Sequence, residues 1–297
     1  MNHVTPIAIL IGIGMMLQKI FKLEVKTLTK IILYLFLPAA LLEMTYKSRI
    51  SLETFFIVLL FLTIFYAVML LIIEIYIRIR RLGKGMKGAV RNSVILDNNG
   101  NYGIPLNQLV FMNEPFALSI QIIVLMVQTV LLNTFGIYNV MGNLNLKQTL
   151  KTILMFPSIY CLAVALILNY LGVGIPSILA IPLNYLSDGF LAVALVTLGV
   201  QMGSMKWKLG NMDAIVTISL KLIIAPMVGL CIIFLLNIHG IAGQALILTC
   251  TVPTSLTGVL LAVEFDSESD FASQAAFSST IASVVTVSLW IYVMQFL

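Results

Sequence analysis

Asp97-Asn98-Asn99-Gly100-Asn101-Tyr102-Gly103-Ile104-Pro105-Leu106 interrupts an apolar run that covers Ala89 to Leu96 before it and Leu109 to Met112 after it. Its side chains include three carboxamides and one carboxylate, and two glycines and a proline weaken its backbone as a helix. A continuous helix is not expected there. The break offers two chemistries. A half-helix starting at Pro105 and Leu106 would turn free amides and the positive end of its dipole toward the gap, which suits an anion. The half-helix before it would present carbonyls beside Asp97, Asn98 and Asn99, which suits a small cation or a proton. A kink that merely lets another segment cross needs fewer such side chains, so the stretch reads as a binding site carried by a broken helix.

Thr249-Cys250-Thr251-Val252-Pro253-Thr254-Ser255-Leu256-Thr257-Gly258 is a second interruption. Its hydroxyls can bond the backbone that Pro253 frees, so alone it fits a patched proline kink as well as ligand contact. Pairing with the first break favours contact through Pro253, Thr254, Ser255 and Thr257. Lys221 lies ten residues into its helix from Asn211, about 15 Å along the axis. At that depth its ammonium attracts a carboxylate substrate or neutralises Asp97 as a structural ion pair. Enzymatic signals are missing. Cys161, Cys231 and Cys250 sit in apolar runs without metal or redox spacing, and His3 and His239 fall at the outer surface. No enzyme activity, cofactor or metal is expected.

What must position these groups is an all-α integral membrane scaffold. The chain of 297 residues is 60% hydrophobic and 10% charged, with mean hydropathy +1.07, too few polar groups to cover a soluble globule. The N-terminus reads as a first transmembrane helix, not a removed signal. Apolar runs divide into ten crossings, near 4-19, 28-46, 54-78, 88-112 (broken), 115-137, 152-171, 187-204, 212-237, 241-262 (broken) and 271-296. Residues 172-186, with Pro176 and Pro182, look like a re-entrant or interfacial piece.

With the N-terminus outside, the inner loops gather Lys19, Lys22, Lys26, Lys30, Arg78, Arg80, Arg81, Lys84, Lys87, Arg91, Lys147, Lys151, Lys206 and Lys208, while outer loops hold only Lys47 and Arg49. This asymmetry puts both termini outside and accounts for the net charge of +5 without a nucleic-acid partner. The acidic loop Glu264 to Asp270 is the exception, and acidic residues weigh little in orientation. Glu43 with Lys47 and Glu74 with Arg78 are spaced as boundary ion pairs, Asp188 as a helix cap, and Trp207 and Tyr46 as interface anchors.

Ten crossings split into two halves of five, 1-140 and 149-297, joined by the loop 141-148. An odd number per half inverts the second relative to the first. Pro6 to Pro105 and Pro157 to Pro253 are separated by similar lengths, 99 and 96 residues, so each half carries a proline near its start and another in its fourth helix. Inverted repeats with an interrupted helix in each mark a secondary transporter with its site near the bilayer midplane.

Asn98-Asn99-Gly100-Asn101-Tyr102-Gly103-Ile104-Pro105-Leu106 also resembles the broken-helix signature of the auxin efflux carrier family, an Asn several residues before Gly-x-Pro-Leu. Further matches follow in family order: Leu35-Phe36-Leu37-Pro38-Ala39, Leu198-Gly199-Val200, Lys221 to Pro226, Pro253, Glu264-Phe265-Asp266 and Ser278-Ser279-Thr280. The long cytoplasmic loop of many plant members is absent, so the chain is more similar to compact bacterial malate or malonate permeases. The resemblance implies ten helices in two inverted repeats, crossing broken helices four and nine, and a transport unit moving against a scaffold, as in the similar bile-acid sodium symporters. It leaves room for a homodimer through helices one, two, six and seven.

The expected function is secondary transport of small organic anions, mono- or dicarboxylates or auxin-like acids, across the plasma or inner membrane by an elevator form of alternating access. Asn98, Asn99, Gly100, Asn101, Gly103, Pro105, Leu106, Pro253, Thr254, Ser255 and Thr257 would contact the substrate. Asp97 and Lys221 are the candidates for coupling to Na+ or H+. The competing readings are a Na+/H+ antiporter, which usually needs paired acids at mid-membrane where this chain offers Asp97, and a membrane sensor that binds without transporting.

Overall fold

A chain this apolar can satisfy its backbone in lipid only by closing hydrogen bonds locally, and the structure, a computed structural model, is helical with no strand among the described residues. It describes residues 4-47, 52-141, 157-204 and 212-297. Helices α1 (Val4–Phe21), α2 (Val25–Ile31) and α3 (Leu37–Lys47) come first, with a π-helical turn, Ile32–Phe36, between the last two. Then follow α4 (Leu52–Arg80), α5 (Lys84–Ile95), a π turn at Asn99–Gly103, α6 (Ile104–Val110), α7 (Pro115–Leu131), a π turn at Leu132–Gly136 and α8 (Ile137–Met141). The rest comprises α9 (Pro157–Leu171), α10 (Ser177–Ser204), α11 (Met212–Ser219), a π turn at Leu220–Ile224, α12 (Ala225–Leu235), α13 (Gly240–Cys250), α14 (Leu256–Glu264) and α15 (Ser269–Met294). Five uninterrupted helical stretches among the described residues are long and apolar enough to cross a membrane: Glu53–Arg80, Pro115–Val140, Ser177–Ser204, Met212–Leu235 and Ser269–Met294.

The chain forms two compact units, and each takes segments from both halves of the sequence. The first draws on 1-55, 100-122 and 154-206. Here α10 packs on α1 and α3, and α9 on α3. Small residues permit this approach: a Cβ on Gly14 would stand 2.1 Å from the Val196 carbonyl oxygen, and one on Gly199 would stand 2.0 Å from that of Ile11. Ile178, Leu179, Ile181 and Tyr185 of α10 stay exposed, as expected of a surface facing lipid tails.

The second unit draws on 56-99, 123-153 and 207-297. Phe61, Met69, Ile73 and Ile77 of α4, Leu246 and Ile247 of α13 and Ala275 and Ala276 of α15 form its core. Helix α5 lies so close to α8 that a Cβ on Gly88 would reach 2.3 Å from the Asn139 carbonyl oxygen. Charge ties the end of α4 to the start of α11, where Asp213 Oδ1 accepts from Tyr76 Oη at 2.6 Å and Arg80 Nε at 2.9 Å.

Four sequence expectations are corrected. Residues 172-186 are not re-entrant, because from Ser177 onward they belong to the unbroken α10. Pro176 precedes that helix and Pro182 falls at its sixth residue, early enough to forfeit a single backbone bond without ending it. Asp188 therefore lies exposed within α10 and caps nothing. Glu74 is bonded not along its own helix to Arg78 but across to Arg91 Nε, at 2.5 Å. Finally, the second half-helix of the first break begins at Asn99, not at Pro105. Its first turn is π-helical, and the wider turn gives the proline ring the space that an α turn would deny it. His3, Trp207 and the joining loop from residue 142 on lie outside the described residues, as does the Lys47 side chain.

The α1 to α10 approach should fail with bulk at its glycines. Gly14→Leu or Gly199→Leu is expected to lower the thermal unfolding midpoint in detergent by the equivalent of about 1–3 kcal/mol or more. Gly12→Leu, where no atom lies within 4 Å of an added Cβ, should leave the midpoint unchanged.

Candidate transport site at the crossing of the two breaks

Helix α5 stops at Ile95 because Leu96 turns extended, φ −91° and ψ 115°. The last carbonyls of a helix have no partner within it, and in an apolar setting each needs a donor from elsewhere. Here every one from Asn92 to Leu96 is met inside the second unit. The Asn92 carbonyl accepts from Leu96 N at 3.0 Å, and that of Ser93 accepts from Thr254 Oγ1 at 2.6 Å. Lys221 Nζ donates to the Val94 carbonyl at 3.1 Å, Gln128 Nε2 to that of Ile95 at 2.9 Å, and Ser255 N to that of Leu96 at 2.8 Å.

The second break supplies two of those donors because it runs antiparallel to the first. Asp97 and Thr254 form an antiparallel bridge, and Asn98 N donates to the Pro253 carbonyl at 2.9 Å. Thr254 N finds Ser279 Oγ on α15 at 3.2 Å. Two hydroxyls at the end of α13 also turn back onto their own helix. Thr249 and Thr251 return their hydroxyls to the Leu246 and Leu248 carbonyls at 2.7 Å each.

Asp97 is 8% exposed and Lys221 1% exposed, and the two side chains form an ion pair. Gln128 grips the same aspartate from α7, accepting from Asp97 N at 3.2 Å and donating to Oδ2 at 2.8 Å. Tyr66 Oη on α4 stands 2.6 Å from Gln128 Nε2. Of the two roles open to Lys221, the geometry gives neutralisation of Asp97. The crossing thus holds a carboxylate and an ammonium that cancel, with a further hydrogen bond from Lys221 to α5 and one from Gln128 of α7 to Asp97.

The other sequence-derived residues divide between the units. Asn98, Asn99, Pro253, Thr254 and Ser255 are buried at the crossing, and the Asn98 carboxamide nitrogen has no hydrogen-bond partner among the described residues. Thr257 is not brought to it but lies exposed on α14. Gly100, Asn101, Gly103, Pro105 and Leu106 belong to the first unit, where all but Gly100 are buried. Sequence reasoning missed Tyr66, Ser93 and Gln128, and marked Ser279 only as part of a family match. Only Gln128, a carboxamide deep in an apolar run, carried a sequence signal.

A cleft beside the crossing is lined by Asn92, Ser93, Thr254, Ser255, Ser267 and, on α14, Gly258 and Ala262. It offers about the room of one water molecule, less than a carboxylic acid needs.

The antiparallel meeting of two proline-interrupted segments inside a helical, apolar protein is the arrangement that secondary transporters use. Residues 139-291, just over half the chain, match the family described as "Membrane transport protein", and the chain belongs to this auxin efflux carrier-like family. The chain is also similar to an uncharacterized transporter of Methanothermobacter thermautotrophicus, 26% identical over 48% of this chain and 47% of the relative, so only about half of that relative is spanned. A second relative, an uncharacterized transporter of Methanocaldococcus jannaschii, is 25% identical over 98% of this chain and 97% of its own. As a member of a transport family the protein is a transporter and not an enzyme.

Breaking the buried pair from one side should be costly. Lys221→Met leaves Asp97 uncompensated and is expected to destabilise by about 3–5 kcal/mol in a denaturation series. Adding Asp97→Asn to it should recover a good part of that loss, and a double variant as unstable as the two single losses added together would remove the pairing argument.

Proposed function

We propose that this transporter carries small organic anions, mono- or dicarboxylates or auxin-like acids, by alternating access. The observation that carries this reading is the charge balance of the crossing. Lys221 already cancels Asp97 and the α5 carbonyls already have donors, so the crossing has little left to offer a cation. The buried Asn98 carboxamide retains N–H groups to donate, and a carboxylate is the natural acceptor for amide donors in an apolar surrounding. In this proposal the Asn98 and Asn99 carboxamides and the Ser255 hydroxyl, all of the second unit, bind the substrate, with Thr254 lining the same place.

The proposed scaffold has ten crossings in two inverted repeats. Support comes from the breaks in the fourth and ninth of them and from the antiparallel direction in which they meet, as inverted copies of one motif would. The proposed movement is of elevator type, with the unit that holds the crossing carrying the substrate. Division into two compact units supports it, and so does the narrowness of the cleft, which has to widen before an organic acid can enter. We place the protein in the plasma or inner membrane with both termini outside, on the distribution of its bases, and the family resemblance supports a homodimer. A Na+/H+ antiporter is the second reading, motivated by Asp97 alone and disfavoured by its pairing with Lys221.

Purified protein in vesicles should take up labelled malate, malonate or indole-acetate against an empty-vesicle control. Asn98→Ala should reduce the initial rate about tenfold or more, the effect of losing one hydrogen bond to a charged group, while Thr257→Ala should not. Proton movement driven by Na+ with no organic acid present would sink the anion reading in favour of antiport.

A further inference from the structure

Proline at 226 lacks the N–H that an α-helix would return to the carbonyl of Leu222, four residues earlier. Leu222 is 1% exposed and lies within the apolar segment Met212–Leu235, where water is a poor substitute. Two features answer this deficit. The backbone widens into the π turn Leu220–Ile224, with Ala225 N reaching back five residues to the Leu220 carbonyl. The indole Nε1 of Trp290, on α15, donates to the Leu222 carbonyl at 3.1 Å.

Lys221 sits inside this turn, immediately before the carbonyl that Trp290 holds. One extra residue in a helical turn shifts the residues on one side of it by about 100° around the axis relative to the other. The π turn therefore decides which way Lys221 points relative to α12. In the observed register its ammonium meets the Val94 carbonyl and Asp97.

We propose that Trp290 is a positioning residue of the crossing: its indole N–H replaces the amide that Pro226 cannot provide, holds the π turn open, and so keeps Lys221 aimed at Asp97. The importance of this for transport rests on the reading of the crossing given above, whereas the positioning itself does not require any substrate.

Amide hydrogen exchange of the purified full chain tests it independently of uptake. Trp290→Phe keeps an aromatic ring and removes the donor, so exchange at residues 221–224 should quicken roughly tenfold, the weight of one hydrogen bond. In a Pro226→Ala background, where a backbone N–H is restored, the same substitution should change exchange less than about threefold. In a Lys221→Met background the loss of thermal stability caused by Trp290→Phe should shrink, since the group being aimed is gone. Equal quickening with and without Pro226→Ala would show that the ring matters by packing alone and would overturn the proposal, as would unchanged exchange in Trp290→Phe. If Trp290→Phe does not fold, recovery on adding Pro226→Ala supports the proposal and failure to recover rejects it. Absent uptake of every organic acid tried, with these exchange results intact, would discard the anion reading and leave the positioning role standing.

Discussion

A carbonyl group deprived of water must find a donor, and this one requirement organises the centre of the second unit. When α5 ends in the middle of an apolar protein, its last carbonyls would each be expensive to leave bare. The chain answers with donors of four kinds: a backbone amide from the second break, a threonine hydroxyl, a glutamine carboxamide and a lysine ammonium. They come from α7, from the turn between α11 and α12, and from the segment after α13. Ending the helix is thus what brings four distant parts of the sequence together.

The ion pair follows from the same requirement. A lysine recruited to cap a buried carbonyl brings a full charge with it, and a lone buried charge is far costlier than the bare carbonyl it cures. Asp97 is placed one residue after the extended Leu96, where it can accept that charge, and Gln128 holds the carboxylate from its other side. Cap and counter-charge have to be considered together, because neither is tolerable alone.

Both breaks could be read from residue types, since a proline with glycines and carboxamides, or with hydroxyls, stands out in an apolar run. Lys221 was legible for the same reason, as a base at membrane depth with one acid to meet. The partners that complete the crossing were not. Tyr66 and Ser93 are common residues of membrane helices, with no periodic pattern to mark them and partners at long sequence distance, and the family match at Ser279 said nothing of its partner. The start of the second half-helix was misread because a π turn leaves no propensity signature, and the 172-186 segment because its two prolines fall before or just inside the first turns of a helix, where they do least harm. Fold class was legible in composition, while side-chain geometry depended on which helix packs where.

The tie between Arg80, Tyr76 and Asp213 differs in kind from the pair at the crossing, since the Arg80 side chain is 49% exposed while that of Lys221 is 1% exposed. Mobile ions crowd around exposed charges within a Debye length of about 8 Å at physiological ionic strength and do not enter a dry interior. Adding salt therefore loosens the seam between α4 and α11 and leaves the crossing as firm as before. Ionic strength becomes a dial that separates the stiffness of an exposed seam of the second unit from that of its dry interior.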